Sequence, residues 1–124
     1  MKLVIIESPY AGDIEKNIHY AKECMKDSLR RGESPLASHL IYTQEGILDD
    51  TIREERKFGI KAGLEWKRVA DLQVFYLDNG WSNGMKEAYE KSKTGSVPVE
   101  IRYLYKIIKN HFKITGAWKS EGTH

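Results

Sequence analysis

Apolar and polar positions along the chain switch repeatedly between a strand-like and a helical period. Lys2–Glu7 encloses a short apolar run with β-branched residues, the pattern of a strand covered on both faces. It stops at Ser8-Pro9. Asp13 then stands where an N-cap is needed, and Ile14, Ile18, Ala21, Met25 and Leu29 recur at helical spacing until Gly32, which predicts a first helix. Ser34–Ala37 reads as a short second strand, followed by the turn-like SHLIYTQEGILDD. Thr51 with Glu54 fits a capping box, and the chain to about Ala70 reads as a helix in spite of Gly59 and Gly63. Asp71–Leu77 is the clearest strand. A helix is expected from near Ser82 to about Lys93, with Met85, Ala88 and Tyr89 on one face, and Val97–Tyr103 forms a fourth strand. Past Leu104 the pattern weakens: Tyr105–Lys113 is compatible with a strand or a helix, and GAWKSEGTH reads as a loosely held tail.

This alternation argues for parallel pairing through right-handed crossovers, a three-layer α/β fold with a Rossmann-like or flavodoxin-like sheet flanked by helices. In such sheets a ligand lies at the carboxyl edge, where β-to-α turns aim backbone N–H groups and helix dipoles at an anion. Two turns qualify. One is Ser8–Asp13 (SPYAGD); the other lies in Phe75–Met85 (FYLDNGWSNGM) and carries Asp78, Trp81, Ser82 and Asn83 about Gly80 and Gly84. They are expected to face each other across one crevice. His39, Tyr42 and Gln44 either touch the ligand from a loop above the sheet edge or belong to a surface connection with Leu40 and Ile41 tucked beneath it. Arg56 sits in a charged patch with Arg53, Glu54 and Glu55, which is either simply solvated or presents Arg56 to a phosphate. Gly59 and Gly63 share a helix face and imply close packing, in the core or across a dimer interface.

Composition narrows the classes. A chain of 124 residues with 40% hydrophobic and 31% charged residues is one globular domain. A formal net charge of +2 is too small to argue for nucleic acid or an anionic membrane. Cys24 is the one cysteine, which excludes an internal disulfide, suits a reducing cytoplasm and reads as a buried structural thiol. No run is apolar enough to span a bilayer, and the start is too soon acidic for a signal peptide, so the expected compartment is the cytosol. The four histidines are scattered, and neither a metal nor a cofactor is expected. The Walker loop and the G-x-G-x-x-G fingerprint are absent, against a nucleoside triphosphatase or a nicotinamide-dependent dehydrogenase. A nucleic-acid module built on Lys106, Lys109, Lys113 and Lys119 with Phe112 and Trp118 is a weaker reading, because those lysines are dispersed and carry no motif.

The segments Ser8–Asp13, Pro35–Gln44, Leu48–Asp50, Glu54–Arg56, Gly59–Trp66, Asp78–Met85 and Val99–Arg102 together resemble a small bacterial and phage family. That family is similar to the nucleoside 2-deoxyribosyltransferases and the deoxynucleoside monophosphate N-glycosidases. The resemblance implies a domain over residues 1–103; residues 104–124 have no counterpart in it and read as an extension for oligomerisation or pocket completion. It also implies a nucleoside or nucleotide lying across the strand ends. Tyr10 and Gly12 match sugar-pocket positions, Asp78 the aspartate that holds sugar or base, and Ser82 with the backbone of Asn83 and Gly84 a site for ribose or 5′-phosphate. The candidate ligand-binding set is Ser8, Tyr10, Ala11, Gly12, Asp13, His39, Arg56, Asp78, Gly80, Trp81, Ser82, Asn83, Gly84 and Met85. Because the enzymes complete their pockets with a neighbouring subunit, a homo-oligomer, dimer or higher, is expected, with the pocket near its interface.

The departure from the enzymes falls at the nucleophile. They place a carboxylate on the anomeric carbon from the helix after the second turn, since cleaving an N-glycosidic bond develops positive charge on the sugar. Counting from Gly84-Met85, that position is Ala88. A slip of one residue makes it Glu87; otherwise Glu87, Glu90 and Lys86 read as a solvated face. Two readings follow. The favoured one is a protein that sequesters a nucleotide-type ligand without chemistry, such as a phage anti-defence sponge for an ADP-ribose-derived immune signal in the host cytoplasm. The alternative is an N-glycosidase or deoxyribosyltransferase with Glu87 or Asp78 as the catalytic carboxylate and His39 or Asp13 in acid–base roles.

Overall fold

The computed structural model describes residues 1–108 and 111–114. The strands are β1 (Leu3–Glu7), β2 (Ser34–Leu36), β3 (Leu72–Tyr76), β4 (Val99–Arg102), β5 (Tyr105–Ile108) and β6 (His111–Ile114). The helices are α1 (Ile14–Arg30), α2 (Ser38–Ile41), α3 (Arg53–Lys67) and α4 (Asn83–Ser92). β1 to β4 form one parallel sheet in the order β2-β1-β3-β4, while β5 and β6 pair antiparallel as a separate two-stranded sheet. This is the flavodoxin-like order, flanked by helices in a three-layer α/β arrangement. Its switch point lies between β1 and β3, where the chain reverses its direction across the sheet.

Alternation along β1 and β3 divides the core between the two sheet faces. Val4, Ile6, Leu72, Val74 and Tyr76 meet Tyr20 and Cys24 of α1 on one side. On the other, Phe75 packs on Trp81 and Tyr89, with ring centroids 5.4 and 5.7 Å away. Every β3 residue is buried, which explains why that segment was the plainest strand in the sequence. Cys24 is buried and burial raises its thiol, so it behaves as a structural group.

Three local expectations change. The stripe on α1 is shorter than its period suggested: Ile14 and Leu29 are exposed, while Asn17, Asp27 and Ser28 are buried. The polar three are paired, Asp27 with the Tyr76 hydroxyl at 2.7 Å and the Arg31 Nε at 2.9 Å. The capping box does not form. α3 begins one residue later than Ile52, its N-cap, which makes no side-chain cap; Thr51 Oγ1 instead donates to Asp49, and the Glu55 carboxylate takes the Asp49 N–H at 2.7 Å. Within the turn-like segment Ser38–Ile41 closes a single helical turn, which seats Leu40 against the core.

Gly59 and Gly63 serve packing inside the subunit. A Cβ on Gly63 would lie 2.7 Å from Ser38 Oγ, and one on Gly59 would lie 3.2 Å from Leu48 Cδ1. Their absence brings α3 close to α2 and to the loop between them, forming one wall of a crevice. In the segment after Leu104, open between strand and helix, Tyr105–Ile108 and His111–Ile114 are paired strands. The expected loose tail, with Trp118 and Lys119, and also Lys109 lie outside the described residues. Among those described, no helix is long and apolar enough to cross a membrane.

Candidate functional site

A cavity of about 530 Å³ opens at the carboxyl edge of the sheet, within the size range of small-molecule sites. The turn after β1 lines it with Ser8, Tyr10, Ala11 and Gly12, and the turn after β3 with Ser82, Asn83, Gly84 and Met85. Thus the two β-to-α turns do share one crevice, as the switch point requires. His39 and Tyr42 join from the α2 region, Arg56 and Lys67 from α3, and Glu87, Ala88 and Lys91 from α4.

The first turn is held from beneath. Asn17 Nδ2 donates to the carbonyls of Tyr10 and Ala11 at 2.9 and 3.0 Å, and Gly12 takes a φ of 99°, which an L side chain rarely adopts. Asp13 accepts from the Lys16 N–H at 3.2 Å and so caps α1 instead of lining the cavity. In the second turn Gly80, at φ 80°, bends the chain, and Ser82 caps α4 by accepting the Met85 N–H at 3.2 Å. Trp81 packs between Phe75 and Tyr89, anchoring the start of α4 to the sheet; neither it nor Gly80 lines the cavity.

Asp78 is likewise absent from the lining. Its carboxylate accepts the Tyr20 hydroxyl and the backbone N–H groups of Leu104 and Tyr105 at 2.9 and 3.0 Å. These donors hold it toward the α1 side of the sheet, so it ties β3, α1 and the entry to β5 together. Burial, followed by the bond to Asp78, raises the Tyr20 hydroxyl and keeps it a neutral donor.

On α4 the cavity sees Gly84, Glu87, Ala88 and Lys91, spaced i, i+3, i+4 and i+7 along one face. Ala88 and Glu87 therefore both border the crevice, and Glu87 is not on a purely solvated face. Neither the Glu87 carboxylate nor the Lys91 ammonium pairs with another described residue. Arg56 Nε is 3.7 Å from Asp50 Oδ1, a loose and half-exposed pair that leaves the guanidinium available to an incoming anion.

At the floor, Ser8 Oγ lies 2.7 Å from His39 Nε2, and Ser8 itself is only 6% exposed. Burial holds the His39 imidazole below its ordinary value of 6.5, against the opposing charge of Glu7. The Glu7 carboxylate accepts from Lys67 Nζ at 3.0 Å and from Gln73 Nε2 at 2.7 Å. A second cavity of about 810 Å³ adjoins the first and shares Tyr10, Gly12, Leu48 and Arg56 with it. Among the described residues no group of three or more His, Cys, Asp and Glu side chains is arranged to hold a metal ion.

Of the sequence candidates, the cavity gathers Ser8, Tyr10, Ala11, Gly12, His39, Arg56, Ser82, Asn83, Gly84 and Met85. It also recruits Glu7, Lys67 and Lys91, which sequence reasoning passed over. Lys91 was within reach of that reasoning, being seven residues past Gly84 and so on its face of the helix. Lys67 gave no such signal, because its place depends on how closely α3 approaches β1.

Residues 2–102 match the family model described as Domain of unknown function (DUF7768). In three dimensions the chain is similar to the solved structure of a 2-deoxyribosyltransferase from the psychrotolerant bacterium Bacillus psychrosaccharolyticus. The TM-score is 0.59 at 21% identity, covering 86% of this chain and 77% of that one. This likeness shows a deoxyribosyltransferase-like fold. No curated protein sequence matches the chain.

Proposed function

The chain belongs to the DUF7768 family, and we propose that it binds a nucleoside or nucleotide across its strand ends and cleaves the N-glycosidic bond. The observation that carries this reading is that Glu87 lines the same cavity as Tyr10, Ser8 and the start of α4, with no protein partner among the described residues. A carboxylate so placed suits attack on an anomeric carbon. The C1′–N bond breaks with its electron pair going to the base, a Glu87 oxygen bonds to C1′, and water or a second base then frees the sugar. Arg56, Lys91 and the first N–H groups of α4 supply positive potential for a phosphate, and Tyr10 supplies a ring face for sugar or base. The fold is shared with a protein described as a 2-deoxyribosyltransferase. The site acts in the cytoplasm on this reading.

Incubation of the purified protein with nucleosides, deoxynucleosides and their monophosphates, followed by mass spectrometry of the supernatant, tests it. Free base with a sugar or sugar phosphate left behind is the expected result; every compound recovered intact would overturn it.

A second reading is sequestration without chemistry, as in a phage anti-defence sponge for an ADP-ribose-derived signal. It is favoured by Ala88, which stands where the resemblance places the carboxylate, and by the adjoining cavity, which adds room for a ligand longer than a mononucleotide. Native mass spectrometry separates the two, since a sponge carries its ligand and releases it unchanged on denaturation. In either case we propose a homo-oligomer assembled near the crevice, with residues 104–124 extending a domain formed by residues 1–103. Its support is a set of exposed apolar side chains on α3 and just after it, Phe58, Trp66 and Val69, which are 67%, 49% and 61% exposed.

A further inference from the structure

Cleaving an N-glycosidic bond leaves the electron pair on the base, and a natural base departs far more readily once a proton reaches it. The carboxylates of the cavity are poorly suited to give that proton. Glu87 must be ionised to attack. Glu7 is an acceptor for both Lys67 and Gln73, Glu55 accepts the Asp49 N–H, and Asp50 lies beside Arg56. What remains at the floor is Ser8 with His39, 2.7 Å apart, brought together from the end of β1 and the start of α2.

Resting on the glycosidic-cleavage reading, we infer that Ser8 and His39 form the proton-donating pair that serves the departing base. As C1′–N breaks, the Ser8 hydroxyl gives its proton to the base nitrogen and the imidazolium Nε2 gives its own to Ser8 Oγ. His39 is left neutral. When water then attacks C1′ and expels the Glu87 carboxylate, the water's proton returns to His39, so the cycle consumes one nucleotide and one water and yields base and sugar phosphate. The surroundings fit the role. Burial makes the imidazolium a stronger acid than an exposed histidine, and Glu7, itself bound to Lys67, works in the opposite direction and limits the fall. A Ser8 that is almost wholly buried keeps bulk water from replacing the relay.

The test compares His39→Gln and Ser8→Ala with the unaltered protein on two substrates. One is the nucleotide it cleaves best; the other carries 4-nitrophenolate in place of the base, a group that leaves without a proton. Each variant should lose about a hundredfold or more on the nucleotide but little on the activated compound, which also shows that the variant is folded. The kcat of the unaltered protein on the nucleotide should fall as pH rises past the histidine, and that limb should vanish in His39→Gln. Equal losses on both substrates, or an unchanged pH limb, would overturn the inference and leave the cleavage reading standing. Absence of base release from any nucleotide by the unaltered protein would overturn both.

Discussion

The Tyr20 hydroxyl, midway along α1, donates its proton to the Asp78 carboxylate just past the end of β3, and in turn accepts the Asp78 N–H at 3.0 Å. Asp78 also receives the N–H groups of Leu104 and Tyr105, so one carboxylate ties together α1, β3 and the chain leading into β5. Asp78→Asn should therefore act on stability before it acts on the site. Replacing a charged acceptor by an amide that must turn an NH₂ toward one donor should cost about 1–3 kcal/mol in denaturant unfolding. Base release per folded molecule should stay within a few-fold of the unaltered protein, whereas a selective loss of turnover at full stability would return Asp78 to the site.

Gly63→Ala tests the wall between α3 and α2. The added methyl would meet Ser38 Oγ at 2.7 Å, and overpacking of this kind typically costs about 1–3 kcal/mol. Ser38 precedes His39 on the same short helix, so the substitution should also weaken ligand binding. Calorimetry on the folded fraction measures it; unaltered affinity would mean that α2 yields without moving the crevice.

Acid should lower stability in two identifiable steps. Burial works against the Glu33 charge, but hydrogen bonds from Arg102 and Ser28 and the Arg102 charge outweigh it, so its carboxyl lies below the ordinary 4.5. The unfolded chain then takes up the proton first. Stability from this group is present above pH 4.5 and drains away as pH falls through its folded value. His39 acts at higher pH in the same direction: held below 6.5 when folded, it opposes proton uptake, so stability declines as pH drops from 6.5. Urea midpoints across pH should show Glu33→Gln flattening the lower step and His39→Gln the upper one. Unchanged steps in both variants would remove these groups from the account.

If the subunits associate through the exposed apolar residues of α3, Phe58→Ser with Trp66→Glu should shift the protein from oligomer to monomer in sedimentation equilibrium. Trp66 Nε1 donates to the Tyr42 hydroxyl at 2.6 Å, so Phe58→Ser alone serves as the control that leaves this bond in place. A monomer before any substitution would refute an α3 interface.

The strands were legible because β1 and β3 are apolar on both faces, and their parallel pairing followed from the alternation with helices. Turn chemistry placed both loops correctly: Gly12 and Gly80 bend them as short Gly turns do, and each ends at a helix cap, Asp13 or Ser82. Which side chains of a turn look into the crevice was not legible. Asp78 and Trp81 sit in the same segment as Ser82 and Asn83, yet they turn toward Tyr20 and Phe75, partners distant in sequence. The same holds for Ser8 and His39, 31 residues apart, whose meeting depends on β1 pairing beside β2. Glu87 was undecided because one residue of helix turns a side chain by roughly a quarter of a circle, and the cavity is wide enough to take in two successive positions, Glu87 and Ala88.

The most direct measurement is the rate of base release by Glu87→Gln beside its nucleotide affinity. Turnover should fall by at least about a thousandfold, equivalent to about 4 kcal/mol of transition-state stabilisation, while the dissociation constant changes by no more than a few-fold. Undiminished release from the variant would contradict Glu87 as the nucleophile. An unaltered protein that binds its nucleotide and returns it intact would contradict cleavage altogether and leave sequestration as the function of the crevice.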